Sequence, residues 1–320
     1  MNLFANLILL PSLLMSSLMT ISLSNVIQIW FIMEINNFMF ISYALMTIKE
    51  KKIMFTYFII QVLASLIMLF SMIINPIILM SSHPMLMMSL FLKVGIPPLH
   101  LWMTSLSKFM NWHALTLLLT FQKLPPLIIF YLTEITNILF MMLMIMTMIV
   151  PPISMINIKS MKMLITYSSI NQTGWIIILI YLKHQMWLMY FMYYSVIVFM
   201  INLMLNKTKI SLKFFQHKLK KFNLMFTVMM MNLSSMPPFS FFMFKWFSTY
   251  IMIMNSNIKM LIIIILINSL LMTFIYIKMI SWSLFMKKFK SKLMYNKSNF
   301  NYNNYIFIIL TLFTPLIMML

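Results

Sequence analysis

Residues 85–107 read MLMMSLFLKVGIPPLHLWMTSLS, and the fold turns on this stretch. It is apolar and long enough to cross a hydrocarbon core of roughly 30 Å as a helix. Yet Lys93 sits near its middle, followed by Gly95 and the pair Pro97–Pro98. A charge at the bilayer centre costs at least ~2.5–3.5 kcal/mol on insertion scales. Each proline removes a backbone donor and clashes with the preceding turn, so a pair kinks or breaks a helix. Broken backbone at membrane depth survives only inside protein or beside a wet cavity. The stretch therefore reads as a broken membrane helix that carries a buried cation.

The rest of the chain has the same character. Of its 320 residues 63% are hydrophobic and 8% charged, and mean hydropathy is +0.98. Soluble domains carry about 25% charged residues. The apolar periodicity predicts an all-α polytopic membrane protein with about eleven transmembrane helices. The expected spans are 3–23, 26–46, 53–74, 85–107, 112–132, 135–156, 161–181, 186–205, 224–254, 260–283 and 304–320. The longer connections are 206–223 and 284–303, and residues 1–320 read as one transmembrane domain. Asn2 to Ile21 has neither a basic start nor a small-residue cleavage site, so no cleavable signal is expected.

Charge gives the orientation. Seventeen lysines fall in loops on the side of the N-terminus, against Lys183 and Lys259 on the other. This positive-inside bias puts the N-terminus in the matrix or cytoplasm and the C-terminus on the far side. The lysine runs explain the formal charge of +20 as topogenic, with no nucleic-acid partner.

Residue usage narrows the compartment and the chemistry. All 23 basic residues are lysine, the three acids are glutamate, and Met reaches 43. Drift toward AT-rich codons, including a mitochondrial code that reads an extra codon as Met, accounts for this and suggests an organelle-encoded protein. The chain has no cysteine, which excludes disulfides and cysteine-ligated iron–sulfur clusters. Gly95 and Gly174 are its only glycines, too few for a glycine-rich nucleotide fingerprint. No His pair has metal-ligand spacing together with an acid or a cysteine.

Three more ionisable residues lie deep in apolar runs: Glu34 in VIQIWFIMEINNFMFISYAL, Lys123 in HALTLLLTFQKLPPLIIFYL and Lys245 in MPPFSFFMFKWFSTYIMIM. An intramembrane ionisable residue is a functional candidate by default. Snorkelling or a buried structural ion pair is the plain alternative. Lys278, about five residues or ~7 Å from the end of its expected span, suits snorkelling. The other three lysines each lie beside a proline pair: Lys93 before Pro97–Pro98, Lys123 before Pro125–Pro126, and Lys245 after Pro237–Pro238. Pro151–Pro152 reads as a packing kink. Spans four and nine are five helices apart and so cross in opposite directions. Two Pro-broken helices of opposite topology point to an inverted-repeat transporter.

His100, seven residues after Lys93, is either a proton relay or a hydrogen-bonded packing residue. His83, His113, His184 and His217 read as interfacial. Ser168, Ser169, Asn171 and Gln172 in ITYSSINQTGW either hold water or hydrogen-bond between helices.

At these residues the chain resembles the antiporter-like membrane subunits of mitochondrial NADH:ubiquinone oxidoreductase, respiratory complex I, and among them the chain 2 family. The resemblance rests on FIMEINNF, FIIQVLASLIMLF, LFLKVGIPPLHLW, LLLTFQKLPPLIIFY, MLITYSSINQTGW and SMPPFSFFMFKW, in the expected order. The K-x-G-x-P-x-H-x-W pattern at Lys93–Trp102 and Q-K-L-x-P at Gln122–Pro126 are its most specific parts. It implies a subunit translocating protons across the mitochondrial inner membrane, with the N-terminus on the matrix side. It implies that Glu34 and Lys93 form a coupled pair, that Lys123 is the central lysine of a water-filled half-channel, and that Lys245 serves the exit side. NADH, FMN, iron–sulfur clusters and ubiquinone are then expected on other subunits, with no cofactor bound by this chain. Its partners would be the lipid bilayer and the other membrane subunits of a hetero-oligomer. The chain departs from the family where Ser234–Ser235 replace an expected Gly-Gly and Phe241 an expected Gly.

The chemistry is consistent with that resemblance. Burial disfavours the charged form of a side chain and a nearby opposite charge restores it. A Glu–Lys pair that forms and separates can therefore switch proton affinity on a neighbouring lysine. The competing readings are a cation/proton antiporter subunit of related fold, and a structural subunit whose charges are buried ion pairs. One mid-membrane acid makes a poor sodium site of oxygen ligands.

Overall fold

The computed structural model describes residues 5–48, 51–74, 83–133, 138–158, 160–207, 224–237, 239–254 and 259–288. Every regular element among them is helical, as backbone in lipid requires. In chain order the α-helices are α1 (Leu10–Met19), α2 (Val26–Thr47), α3 (Lys51–Ile74), α4 (His83–Val94), α5 (Leu101–Phe109), α6 (Trp112–Leu119) and α7 (Leu124–Leu132). They continue with α8 (Ile138–Ile156), α9 (Met161–Tyr181), α10 (Met186–Lys207), α11 (Leu224–Leu233), α12 (Ser240–Met254) and α13 (Lys259–Lys288).

Six helical segments among the described residues are long and apolar enough to cross a membrane: Val26–Thr47, Lys51–Ile74, Trp112–Leu132, Met161–Tyr181, Met186–Asn206 and Leu261–Ser281. Leu7–Ser22, Pro84–Val94 and Phe140–Ile156 are shorter apolar helices. The expected span 304–320 lies outside the described residues, as do most of 206–223 and 284–303. Helix α13 runs on to Lys288, past the expected end at 283, and Lys278 is exposed on it.

The chain divides into two compact units, one of residues 1–151 and 162–203, the other of 152–161 and 204–320. In the first unit α2 packs on α3, α6 and α7, while α4 packs on α3 and α7. Helix α9 is its inner element, with 94% of its membrane-length window buried. Gly174 on α9 lets α8 come close: a Cβ there would lie 3.0 Å from both Met148 Cε and Thr147 Oγ1. Small residues at such contacts are how helices pack tightly where lipid supplies no hydrophobic driving force. In the second unit α11, α12 and α13 pack on one another.

Three interruptions place the buried lysines. The first separates α4 from α5. Gly95 takes φ +73°, a left-handed conformation costly for any residue with a Cβ. The amide of Ile96 then reaches back to the Phe91 carbonyl at 3.1 Å, the six-to-one bond that closes many helix C-termini. The Leu92 carbonyl, left without a helical partner, accepts from the Trp102 indole at 3.1 Å.

The second interruption separates α6 from α7 and corrects an expectation. The break falls on Thr120–Lys123, before Pro125–Pro126. Thr120 leaves helical geometry at φ −116°, ψ −81°, and the Gln122 amide returns to the Leu117 carbonyl at 3.2 Å. The prolines open the second half, with Lys123 at its N-cap. In a first turn the amides lack partners anyway and the ring presets φ.

The third interruption, between α11 and α12, contains Ser234–Pro237. Asn232 Oδ1 bridges it, accepting from the Phe241 amide at 3.2 Å and the Ser240 hydroxyl at 3.4 Å. Pro151–Pro152, by contrast, lie within α8 as it continues to Ile156.

Candidate functional site

Glu34 on α2 and Lys93 in the last turn of α4 meet as an ion pair, Nζ to Oε1 2.7 Å. The Lys93 side chain is 2% exposed and that of Glu34 17%, so the cation is sealed and the carboxylate stands nearer the unit's surface. A helix C-terminus favours a cation by ~0.3–1 kcal/mol, more when partly buried. The pair and the helix end together offset part of the desolvation of Lys93. Glu34 is the one carboxylate side chain among the described residues; Glu50 and Glu134 lie outside them.

Lys123 is 2% exposed, at the break between α6 and α7. Its Nζ donates to Ser169 Oγ on α9 at 3.2 Å. The Ser169 hydroxyl itself donates to the Thr166 carbonyl at 2.6 Å, which leaves an oxygen lone pair facing the lysine. Next to it, Gln122 Nε2 reaches Asn36 Oδ1 at 3.3 Å, tying the break to α2 two residues beyond Glu34. Asn36 Oδ1 also accepts from Ser16 at 3.3 Å.

Lys93 and Lys123 line one cavity of about 10 Å³, close to the space one water centre needs. Its polar wall is Asn37, Tyr57, Gln61 and Gln122, besides the two lysines. The Asn37 Nδ2 group is buried and finds no partner among the described residues. A cavity of this size with several donors and acceptors suits a water. The arrangement sets two titratable amines on the wall of one polar cavity.

His100 lies apart from this cavity's lining. It is buried and packs edge-on to Tyr167, ring centroids 5.7 Å apart. His113 is exposed and His184 half-buried; His217 lies outside the described residues. Of the α9 polar residues Ser169 reaches a lysine, while Gln172 accepts from the Tyr190 hydroxyl. No group of three or more His, Asp or Glu comes together as a metal site among the described residues.

In the second unit Lys245 on α12 is 5% exposed and donates to Ser235 Oγ at 2.8 Å. Phe241, where glycine was expected, is fully buried.

Sequence reading missed Asn37, Tyr57, Gln61, Trp102 and Ser235 as parts of these sites. Amides in otherwise apolar runs were a usable signal for Asn37 and Gln61, since a buried amide needs partners. Tyr57 and Gln61 are four apart on α3, so they share a face.

Comparison with known proteins gives the family. Residues 73–275 match the family described as NADH:quinone oxidoreductase/Mrp antiporter, TM. A curated protein of Anopheles gambiae named NADH-ubiquinone oxidoreductase chain 2 is 30% identical, over 94% of this chain and 92% of its own length. The chain belongs to the NADH-ubiquinone oxidoreductase chain 2 family. Another chain 2 relative, from Rhipicephalus sanguineus, is 31% identical over 89% of this chain and 92% of its own. Among solved structures, a chain of Thermus thermophilus respiratory complex I superposes with a TM-score of 0.77 at 16% identity, covering 97% of this chain and 78% of that one. A chain of an archaeal membrane-bound sulfane sulfur reductase does so with 0.80 at 15% identity, covering 97% and 72%. At such identities the likeness is one of fold.

Proposed function

We propose that this chain is a proton-translocating core membrane subunit of respiratory complex I, with the Glu34–Lys93 pair and Lys123 as its proton-handling centre. It is a multi-pass protein of the mitochondrial inner membrane and works in a hetero-oligomer with other membrane subunits. NADH oxidation and ubiquinone reduction take place on those partners, and flavin and clusters reside there. The observation that carries this reading is the shared polar cavity between Lys93, paired with Glu34, and Lys123, in a chain of this family.

The mechanism follows from pairing. While Glu34 holds Lys93, the field at Lys123 is that of a neutral pair. When the pair separates, Lys93 is an unscreened cation across a small cavity from Lys123, and a proton on Lys123 is driven off through bridging water. Re-pairing permits reloading. Lys245 serves as the exit-side carrier in the second unit, and His100 as an auxiliary relay. Redox energy from the partners enters as the force that parts Glu34 from Lys93.

The proposed topology has eleven spans, with the broken helices of spans four and nine crossing in opposite directions and the N-terminus in the matrix. The lysine asymmetry between the two sets of loops supports it. Residues 1–320 act in this reading as one translocating domain. The test is Lys123→Met in the assembled complex: the long apolar stem remains and the proton site is lost. Retained NADH oxidation subunits with lost pumping supports the reading; undiminished pumping overturns it.

A further inference from the structure

Ser235 occupies a conformation that serine disfavours. Its φ is +56°, in the left-handed region where a Cβ crowds the backbone. Glycine would sit there without cost. The Ser235 side chain makes a specific contact. Its Oγ lies 2.8 Å from Lys245 Nζ and 2.5 Å from the Ser234 carbonyl.

Those two contacts fix the direction of the hydroxyl. A carbonyl oxygen only accepts, so the serine proton points to Ser234 and the oxygen lone pair points to Lys245. The lysine, an α12 residue, is thus held from the turn that ends α11. Ser235 is 7% and Lys245 5% exposed, so bulk water does not compete for this bond. Asn232 fixes the same turn from the other side through the Phe241 amide and the Ser240 hydroxyl.

We infer that Ser235 is a positioning residue for proton transfer at Lys245: its hydroxyl oxygen anchors the lysine Nζ at the α11–α12 break. The inference rests on the proposal that Lys245 carries protons. The hydroxyl takes no proton itself. It accepts a hydrogen bond from Nζ, and the transferred proton leaves Nζ for water while the anchor keeps the amine in place.

The test uses assembled complex in inner-membrane vesicles, with the initial rate of NADH-driven proton pumping measured per assembled complex. Ser235→Gly removes the hydroxyl and relaxes the backbone. Ser235→Asn tolerates the left-handed conformation and offers a side-chain carbonyl in place of the hydroxyl. Loss of one charge-assisted hydrogen bond lowers pumping by about tenfold in Ser235→Gly, with assembly unchanged, and Ser235→Asn recovers most of it. Normal pumping in Ser235→Gly, a failure to assemble, or no recovery in Ser235→Asn overturns the positioning role. Lys245→Met is measured beside them: if it pumps normally, the proton-carrier reading of Lys245 falls; if it fails while Ser235→Gly is normal, only the role of Ser235 falls.

Discussion

Lys93 and Glu34 lie on different helices, 59 residues apart in sequence, and their charged atoms are 2.7 Å apart. That contact joins the end of a broken helix to the middle of an unbroken one. Lys123, at the next break, shares a cavity with Lys93 yet bonds to a serine rather than a carboxylate. One lysine is thus neutralised and the other is not, and this asymmetry is what a pairing switch requires.

Glu34→Gln keeps the size and an acceptor oxygen but removes the charge. The loss of a charge-assisted bond of ~1.5–3 kcal/mol corresponds to about tenfold or more in rate. The expected outcome is a complex that assembles, with pumping and coupled NADH oxidation reduced by that order. Glu34→Asp, with a shorter reach, is milder. Proton uptake measured on vesicles of each variant checks the ranking; a normal Glu34→Gln removes Glu34 from the mechanism.

Gly95→Ala acts through backbone. The φ of +73° is left-handed, and the added Cβ meets Met103 Sδ and Trp102 Cζ2, both at 3.0 Å. Strain of ~1–2 kcal/mol adds to an overpacking cost of ~1–3 kcal/mol. The yield of assembled complex and its thermal midpoint both fall. Wild-type values for both contradict the account of this turn.

Trp102→Phe separates packing from capping. The ring still fills the space beside Tyr57, whose centroid is 5.6 Å away, but the Leu92 carbonyl loses its donor. The acceptor is partly buried, so losing its donor costs about 1 kcal/mol, and it is the residue next to Lys93. Assembly is retained and the rate of NADH-driven pumping drops several-fold. Equal loss of assembly and pumping shows instead that the tryptophan only packs.

Much of this was legible in the sequence because the signals are local. Lys93 with Gly95 and Pro97–Pro98 announces a broken helix within one stretch, and four charges in apolar runs select themselves. The partner of each charge was less accessible. Ser169 and Ser235 are ordinary serines until the fold brings them to Lys123 and Lys245. The break at Thr120–Lys123 was displaced by a few residues in sequence reading, because proline both ends helices and opens them. Ser235 stood out only as a departure from an expected glycine, whereas its side chain supplies a hydrogen bond to Lys245.

The central claim is that Lys123 takes up and releases a proton. Lys123→Arg in reconstituted complex tests it most directly, since arginine keeps the charge and cannot release its proton in a protein. The account predicts that the complex assembles, that the cation is still held in the membrane, and that proton pumping per NADH oxidised is largely lost. Full pumping by the arginine variant contradicts the relay and leaves Lys123 a snorkelling or structural cation.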